Sequence, residues 1–354
     1  MRESKGEQIL DELKAEISAG RYGTSGEPFI TMRELCGRYG VALKTAFRII
    51  SKLHQDGIIE KSGRGYCIAG KLPEMQRNGR PLLLGFLATC LESPYFAKLA
   101  MHAEELAHSI GASLIIASSN YDFDTERERL GMFCEQGVAG VLVCPWASNS
   151  EQESFYRTLP VPYVLIGRRL ESFECDAVLV NNQKAAYEMG GHLLEGGAEE
   201  FAYIGLRGKK YDSRLNGFRS RLLEAGVLLN DRNVLWLDYG DREGCRKAMK
   251  QLLSRRRKGR LAVFCYHDLF ALRLNNVCHE LGLNVPGDVM IAGFDDLPSA
   301  AEAWPPLTSV SYPVKGMVQL AFESLYTRIR FGGRQEGFAR YLDSEIVIRK
   351  STTP

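Results

Sequence analysis

Two apolar runs near the end of the chain lead directly into polar residues, and this pattern limits the fold more than any other feature. The run Leu261–Cys265 is followed by His267-Asp268, and after a helix-length segment a second run ends in Gly293-Phe294-Asp295-Asp296. A strand, a helical crossover and a second strand form a parallel unit. The polar residues then lie at the carboxyl ends of neighbouring strands, where open α/β sheets bind small ligands. The sequence therefore predicts a ligand site at this sheet edge.

The same alternation of apolar runs and helix-length segments begins near residue 81. LLLGFLA, ASLIIAS, GVLVCP and VPYVLI are the first four runs. Repeated strand–helix units predict parallel α/β sheets. About 270 residues are many for one doubly wound sheet, so two lobes are expected within a domain over 81–354. Residues 70–80 contain Pro, Gly and Asn without periodicity, and this composition predicts a linker.

The first 69 residues have a different pattern, typical of a small helical domain. An amphipathic helix precedes a capping box, Thr31-x-x-Glu34, that opens a second short helix. A third helix is predicted from Leu43 to Asp56. A hairpin with Gly63-Arg64-Gly65 at its tip follows. Three helices and a hairpin predict a winged helix-turn-helix over 1–69, mainly α with a small β wing.

Positive charge is concentrated in this small domain. Residues 33–64 carry seven basic and three acidic groups, a local net charge of +4, whereas residues from 71 onward carry 34 of each sign. A basic patch on one module suits double-stranded DNA as the partner. Lys44, Arg48 and Lys52 are four residues apart and share one helix face, which suits phosphate contacts. The candidate DNA contacts are Arg33, Lys44, Thr45, Arg48, Lys52 and Arg64.

Cysteines and apolar runs exclude several other classes of protein. The nine cysteines are scattered, odd in number and without a Cys-x-x-Cys motif, so neither a disulfide framework nor a zinc site is predicted. No apolar run approaches the roughly 20 residues of a membrane span, and the charged start lacks a signal-peptide core. We therefore expect a cytoplasmic protein without a membrane contact, a metal or a cofactor.

Residues 7–69 resemble the DNA-binding domain of the gluconate-repressor (GntR) type. The matching segments are EISAGRY (16–22), MRELCGRYGV (32–41) and GRGY (63–66). The resemblance implies that the second helix crosses the DNA backbone, the third enters the major groove and the wing tip approaches the minor groove. It makes Arg33 the backbone-anchoring arginine and Arg64 the wing-tip arginine. Two arginines that are usual in the recognition segment are replaced by Leu43 and Phe47.

Residues 81–350 resemble the effector-binding domain of lactose/galactose-repressor (LacI/GalR) regulators. The matching segments, besides 261–313, are SPYFAKLA (93–100), GVAGVLVCP (137–145), VPYVLIGRR (161–169) and RLNGF (214–218). This resemblance implies a two-lobed periplasmic-binding-protein-like fold with crossovers near residues 181, 309 and 336, a ligand clamped between the lobes, and a homodimer. A GntR-type headpiece joined to such a domain resembles the arabinose-repressor type of hybrid regulator.

The same resemblance assigns the candidate ligand contacts. Arg214 matches an arginine that donates to ligand oxygens, and Asp295 matches an acceptor carboxylate. Tyr95 and Phe96 are placed to stack on the ligand, and Tyr239 falls where the family has an aromatic wall. The full set of candidate ligand contacts is Tyr95, Phe96, Arg168, Arg214, Tyr239, His267 and Asp295.

Two departures from the family pattern bear on the ligand. His267 stands where asparagine is usual, and Gly167 followed by Arg168 stands where many members have aspartate. They suggest a ligand that is more anionic than a neutral hexose, or one held by different hydroxyl contacts. From its position alone, Asp268 suits a helix N-cap and Asp296 suits structural bonds to loop amides.

Several alternatives stand beside a transcriptional regulator. The His-Asp and Asp-Asp pairs suit acid/base chemistry of an enzyme acting on a sugar, but no nucleophile elbow, phosphate loop, metal cluster or dinucleotide motif accompanies them. A transport receptor or a cytosolic small-molecule-binding protein shares the two-lobed fold, yet neither needs a basic headpiece. The favoured prediction is a homodimeric repressor of carbohydrate-utilisation genes that binds operator DNA and a sugar-like effector, with a nucleobase as the second choice of ligand.

Overall fold

The computed structural model divides the chain into two compact units. The N-terminal unit comprises Met1–Leu179 and Val314–Arg340, and the C-terminal unit comprises Val180–Pro313 and Tyr341–Pro354. The chain thus changes unit after residues 179, 313 and 340, while the resemblance implies crossovers near 181, 309 and 336. The residues that the structure describes are 5–18, 21–22, 26–63, 65–69, 76–77, 80–146, 149–170, 174–207, 212–256, 259–331, 337 and 339–353.

The first part of the N-terminal unit contains three helices and a two-stranded antiparallel sheet. They are α1 Lys5–Ser18, α2 Met32–Tyr39, α3 Leu43–Gln55, β1 Ile59–Ser62 and β2 Gly65–Ile68. Thr31 and Glu34 form the predicted capping box at the start of α2, and Gly40 ends this helix in the left-handed conformation at φ 58°. Leu13 and Leu35 are fully buried where the three helices pack together. The predicted capping box and hairpin are confirmed.

A small sheet lies in the segment predicted to be a linker. Its strands, β3 Gln76–Arg77 and β4 Arg80–Pro81, are antiparallel. The prediction for residues 70–80 did not include this sheet, and 70–75, 78 and 79 lie outside the described residues. The sequence between the strands is Asn78-Gly79, a dipeptide that favours two-residue hairpin loops. The signal for a hairpin was therefore present in the sequence.

The remaining elements alternate strand and helix, as the apolar runs predict. The first of them are β5 Leu83–Ala88, α4 Pro94–Ser109, β6 Ser113–Ser118, α5 Phe123–Glu135, β7 Val141–Val143, α6 Ser150–Thr158, β8 Tyr163–Ile166 and β9 Ala177–Val180. Next come α7 Asn182–Glu195, β10 Glu200–Leu206, α8 Ser213–Glu224, a 3₁₀ turn Asp231–Asn233, β11 Val234–Leu237, α9 Arg242–Ser254, β12 Leu261–Cys265, α10 Asp268–Glu280, β13 Val289–Phe294, α11 Pro298–Ala301 and β14 Thr308–Ser311. The last are α12 Val314–Phe331, β15 Ala339–Leu342 and β16 Glu345–Val347.

Two six-stranded sheets result, one belonging to each unit. The first has the order β15-β9-β8-β7-β5-β6 and the second β11-β10-β12-β13-β14-β16. Pairing is parallel from β6 to β9 and from β11 to β14, whereas β14 and β16 are antiparallel. Every residue of β12 and β13 is buried, as expected for parallel strands covered on both faces. Among the described helices, none is long and apolar enough to cross a membrane.

Helices α7 and α8 approach each other more closely than a side chain would allow. A Cβ atom at Gly217 of α8 would lie 2.0 Å from the carbonyl oxygen of Gln183 and 3.0 Å from the backbone nitrogen of Tyr187. The next residue, Phe218, is fully buried and packs on Phe264 of β12, with ring centres 5.4 Å apart. This packing fixes the first turns of α8 against the sheet.

Candidate functional site

Polar and aromatic side chains collect at the carboxyl edge of the sheet in the C-terminal unit. Asp212 and Arg214 come after β10, His267 after β12, Asp295 after β13 and Tyr312 after β14. Since parallel strands end at the same edge, one short loop after each strand brings these residues together. The strand order also turns back between β10 and β12, the point at which doubly wound sheets bind ligands. Four predicted ligand contacts therefore belong to this edge, namely Arg214, His267, Asp295 and Tyr239, which follows β11.

Arg214 is held in place at both its backbone and its guanidinium. Asp212 caps α8 by accepting a hydrogen bond from the backbone N–H of Arg214 at 3.0 Å. The guanidinium carbon lies 4.1 Å from the ring centre of Tyr266 and 3.9 Å from that of Phe294. Nη1 donates to the carbonyl oxygen of Tyr266, and Nη2 donates to the hydroxyl of Tyr312 at 2.7 Å. A cation fixed against two aromatic rings is pre-organised for an incoming acceptor.

Asp295 places a carboxyl group beside this guanidinium. Its Oδ1 lies 4.0 Å from Nη2 of Arg214, and the two side chains are only 17% and 9% exposed. Its backbone has φ 104°, an unfavourable conformation for a residue other than glycine and one that is concentrated at functional sites. Burial raises the pKa of Asp295 to about 8, although the charge of Arg214 acts in the opposite direction. The pair offers a donor and an acceptor side by side.

His267 is a neutral residue with one ring nitrogen already engaged. Its Nδ1 accepts a hydrogen bond from the backbone N–H of Phe270 at 3.1 Å and so caps α10. Its ring stacks on that of Phe270 with centres 4.2 Å apart. Burial, together with the charge of Arg214, lowers the pKa of His267 to about 3. The neutral ring therefore carries its proton on Nε2. It supplies no positive charge that could bind an anionic ligand.

Asp268 has a structural role that differs from the predicted one. The N-cap of α10 is His267, so the prediction that Asp268 caps a helix at this point is wrong by one residue. The carboxylate of Asp268 instead accepts from the backbone N–H of Leu297 at 2.7 Å and from the hydroxyl of Ser309 at 2.6 Å. Aspartate is a commoner cap than histidine, which explains the error. Asp268 therefore joins the loop after β13 to strand β14.

Asp296 also supports the loop that follows β13. Its Oδ1 lies 2.7 Å from Nη2 of Arg349, and its backbone N–H donates to the hydroxyl of Ser309 at 3.1 Å. The predicted partners were loop amides, but the carboxylate binds a guanidinium. A structural role remains the best description of this residue.

Tyr239 forms an aromatic wall beside His267, and Arg273 packs on the ring of Tyr239. The rings of Tyr239 and His267 have centres 5.5 Å apart. The guanidinium carbon of Arg273 lies 4.0 Å from the ring centre of Tyr239, and the same side chain donates to the carbonyl oxygen of Tyr239 at 2.8 Å. Tyr239 is 37% exposed, so part of its ring faces solvent. Arg273 was not predicted, because it lies in the middle of α10 and resembles any surface arginine.

Three further aromatic residues of this edge were missed from the sequence. Tyr266 and Phe294 contact the guanidinium of Arg214, and the hydroxyl of Tyr312 donates to Oδ1 of Asn182 at 3.1 Å. Tyr266 directly follows β12 and Tyr312 directly follows β14, so the rule that identified the histidine and the aspartate applied to them as well. Phe294 ends β13 and resembles a core residue.

The N-terminal unit has a separate cluster at the carboxyl edge of its own sheet. Tyr95 and Phe96 lie at the start of α4, with ring centres 5.1 Å apart. Gly167 follows β8 with φ 80°, and a Cβ atom there would lie 3.6 Å from the hydroxyl of Tyr95. The structure therefore brings two predicted contacts close to the segment in which glycine replaces the usual aspartate.

Arg168 completes this second cluster together with two aromatic residues that were not predicted. Its guanidinium donates to the carbonyl oxygen of Trp146, and the indole packs against the ring of Tyr121 with centres 5.0 Å apart. The buried carboxylate of Glu126 accepts from the backbone N–H of Trp146 at 2.9 Å. Burial raises the pKa of Glu126. Trp146 follows β7 and Tyr121 follows β6, so both lie at the sheet edge.

The predicted DNA contacts on α3 differ in their exposure and pairing. Lys44 and Arg48 are exposed, and no carboxylate among the described residues pairs with either. Thr45 is half-buried between them and the core. Lys52 lies 3.1 Å from Asp56, so part of its charge is already neutralised. Lys44 and Arg48 are therefore the free cations of this helix within the described part of the chain.

The other two predicted DNA contacts lie outside α3. Arg33 is exposed in the first turn of α2. Arg64, at the predicted wing tip between β1 and β2, lies outside the described residues. Its proposed contact with DNA stays a prediction from the resemblance.

No metal site is assembled in the part of the chain that the structure describes. No cluster of three or more His, Cys, Asp or Glu side chains there could hold a metal ion. All nine cysteines are free thiols. Burial raises the pKa of Cys278 to about 12, so this thiol stays protonated and unreactive.

Comparison with known proteins relates this geometry to a family. Residues 191–352 match the family model of the periplasmic binding protein-like domain. The HTH-type transcriptional repressor PurR of Proteus mirabilis (strain HI4320) is 31% identical over 251 residues, which cover 70% of this chain and 73% of that repressor. The crystal structure of transcription regulator CcpA of Lactococcus lactis has a TM-score of 0.69 and 25% identity, and covers 77% of this chain and 100% of that chain.

A third comparison extends over nearly the whole chain. The structure of the transcriptional regulator CelR–cellobiose complex covers 99% of this chain and 100% of that chain, with a TM-score of 0.67 and 24% identity. These relatives are transcription regulators, and they share the predicted two-domain periplasmic-binding-protein-like fold, which is thereby confirmed. The chain belongs to the LacI family of transcriptional regulators, whose repressors bind operator DNA and small-molecule effectors.

Proposed function

We propose that the protein is a homodimeric repressor whose residues 1–69 bind operator DNA and whose C-terminal unit binds a small sugar-like effector that changes the DNA affinity. The observation that carries this proposal is the buried guanidinium of Arg214, fixed between Tyr266 and Phe294 with Asp295 at 4.0 Å. Family membership supports the general role of the chain. We further propose that residues 1–69 form a winged helix-turn-helix of the GntR type.

The chemistry at the edge of the C-terminal sheet favours a carbohydrate. Neighbouring sugar hydroxyls need a donor and an acceptor close together, and the apolar face of a sugar ring packs on an aromatic side chain. Arg214 and Asp295 supply the donor and the acceptor, while Tyr239 supplies an exposed aromatic face. His267 adds a neutral N–H donor in place of an amide. Tyr95, Phe96 and Arg168 are proposed as further contacts from the N-terminal unit.

A nucleobase is the second ligand class, because it also combines an aromatic face with neighbouring donors and acceptors. A neutral His267 and a fixed Arg214 suit the carbonyl and ring-nitrogen edge of a purine. The two classes differ in their hydroxyl groups, so a panel of compounds separates them.

The headpiece supports the DNA-binding half of the proposal. Exposed Lys44 and Arg48 lie one turn apart on α3, a helix that fits the major groove, and Arg33 is exposed at the start of α2. Unpaired cations at the surface attract phosphates and release counterions. We propose that α3 is the recognition helix. Lys52 contributes less to DNA binding, because it forms an ion pair with Asp56.

A thermal-shift screen of the full-length protein tests the effector site. The panel contains neutral sugars including cellobiose, sugar acids, sugar phosphates and purine bases. We expect one class to raise the melting temperature of the wild type, and we expect Arg214→Ala and Asp295→Ala to lose this shift. Arg219→Ala is the matched control, because Arg219 lies on the same helix but pairs at the surface with Asp231 at 2.6 Å. Loss of the shift in the control, or its persistence in both site variants, would refute the assigned site.

A further inference from the structure

Two large apolar side chains are exposed on α3, the helix proposed to read DNA. Leu43 is 61% exposed and Phe47 is 57% exposed. They are four residues apart, so they lie side by side on consecutive turns. The apolar residues that hold α3 in the domain are different ones and are all buried, namely Ala46, Ile49, Ile50 and Leu53. Leu43 and Phe47 are therefore not part of the core of this domain.

The surroundings of this apolar pair are positively charged. Lys44 and Arg48 follow Leu43 and Phe47 by one residue each, and they form a parallel ridge on the same exposed side of α3. The segment over 33–64 carries a net charge of +4. A partner that fits this surface must be anionic along its flanks and apolar at defined points between them. The major groove of DNA has phosphates on both sides and thymine methyl groups on its floor.

We propose that Leu43 and Phe47 contact thymine C5-methyl groups in the major groove, and that the operator is selected in part by these methyls. This inference rests on the proposed function, in which α3 is the recognition helix. Neither side chain has a donor or an acceptor, so neither can read the hydrogen-bonding pattern of a base pair. The thymine methyl is the apolar group that the major groove presents.

The position of the pair on α3 supports this contact. Leu43 is the first residue of the helix, and the N-terminal residues of a recognition helix are those that reach base edges. One helical turn separates the two side chains by roughly 6 Å along the axis, against roughly 3.4 Å between successive bases of one strand. We therefore expect two thymines about one or two base steps apart in each half-site.

Replacing thymine with deoxyuridine isolates the methyl group. An operator is first selected from a randomised duplex pool with the full-length protein, and each thymine is then replaced singly, which removes only the C5-methyl. We expect one or two replacements to weaken wild-type binding about fourfold each, the value of one buried methyl. Leu43→Ala and Phe47→Ala should each become insensitive at one of those positions. Both substitutions are at exposed sites, so the variants are expected to fold.

A matched control variant helps to separate the outcomes of this test. Leu228→Ala, at a leucine that is 82% exposed in the C-terminal unit, should keep the full sensitivity to deoxyuridine. Unchanged binding of every substituted duplex, or equal sensitivity in the wild type and the two α3 variants, would overturn the inference. The same holds if the variants change only self-association of the free protein in sedimentation, because the pair would then cover a second headpiece. If no duplex is enriched at all, the proposed DNA-binding function fails first.

Discussion

A buried guanidinium binds a ligand oxygen more strongly than an exposed one, because little water screens the interaction. Arg214 has this character, since its side chain is 9% exposed and its orientation is fixed by Tyr266 and Tyr312. Asp295 nearby is also shielded, and burial raises its pKa to about 8. A ligand that brings a hydroxyl donor to Asp295 and an oxygen to Arg214 satisfies both groups at once, which is the basis of the proposed selectivity.

His267 gives a prediction for the dependence of stability on pH. Its imidazole has a pKa near 6.5 when unfolded, and burial lowers the pKa to about 3 in the folded protein. Below pH 6.5 the unfolded state therefore binds a proton that the folded state does not, and stability falls as pH falls from about 7 towards 3. We expect His267→Asn, which keeps a capping side chain, to remove about 2 kcal/mol of the loss at pH 5.

Urea denaturation of the two proteins at several pH values measures this effect. At pH 8 the histidine is neutral in both states, so any difference in unfolding free energy there reflects packing alone. The curves of the wild type and the variant should diverge between pH 7 and pH 5. Parallel curves over that range would show that His267 is not held neutral in the folded protein.

At the scale of elements, the cationic side chains of α3 differ in whether a carboxylate pairs with them. Arg48 is exposed without a carboxylate partner in the described part of the chain, whereas Lys52 lies 3.1 Å from Asp56. We expect Arg48→Ala to weaken operator binding and to reduce the slope of log affinity against log salt concentration by about 1. Lys52→Ala should change the slope by less. Titrations at several salt concentrations check this order, and a larger effect at Lys52 would contradict it.

Helices α7 and α8 pack closely because Gly217 has no side chain. Gly217 leaves no room for a Cβ atom, because the backbone of Gln183 would lie 2.0 Å away. We expect Gly217→Ala to destabilise the protein by roughly 3 kcal/mol or more, since backbone must move. Gly131→Ala in α5, where nothing lies within 4 Å of the added Cβ, is the matched control and should be neutral or stabilising. Thermal unfolding of both variants measures this difference in stability. Equal melting temperatures would refute the close packing of α7 and α8 at Gly217.

Local signals made most elements predictable from the sequence. The capping box at Thr31 and the apolar runs of β12 and β13 depend on neighbours in the chain, and the structure has them where they were expected. His267 and Asp295 were identified because strand ends are recognisable, and Arg214 was identified because its segment RLNGF matches the family pattern. The rings that surround Arg214 come from three different strands, and only the folded sheet brings them together. The cap of α10 was misplaced by one residue because adjacent His267 and Asp268 can both accept from a backbone N–H.

At the scale of the whole molecule, each unit contains a doubly wound sheet whose strand order turns back, beside β5 in one and beside β10 in the other. Polar and aromatic residues collect at the carboxyl edge of the sheet in both units, although the two sheets differ in sequence. The headpiece adds a small basic domain to a body with balanced charge. A regulator needs these two parts to be coupled, because effector binding must change the free energy of DNA binding.

The coupling is measured most directly by fluorescence anisotropy of the selected operator duplex with the full-length protein. The compound that stabilises the wild type in the thermal-shift screen is added at saturation to the wild type, Arg214→Ala and Arg219→Ala. We expect all three proteins to bind the duplex alike without the compound, and we expect the compound to shift the affinity at least fivefold in the wild type and Arg219→Ala only. An equal shift in Arg214→Ala, or a loss of DNA binding by that variant alone, would contradict this expectation.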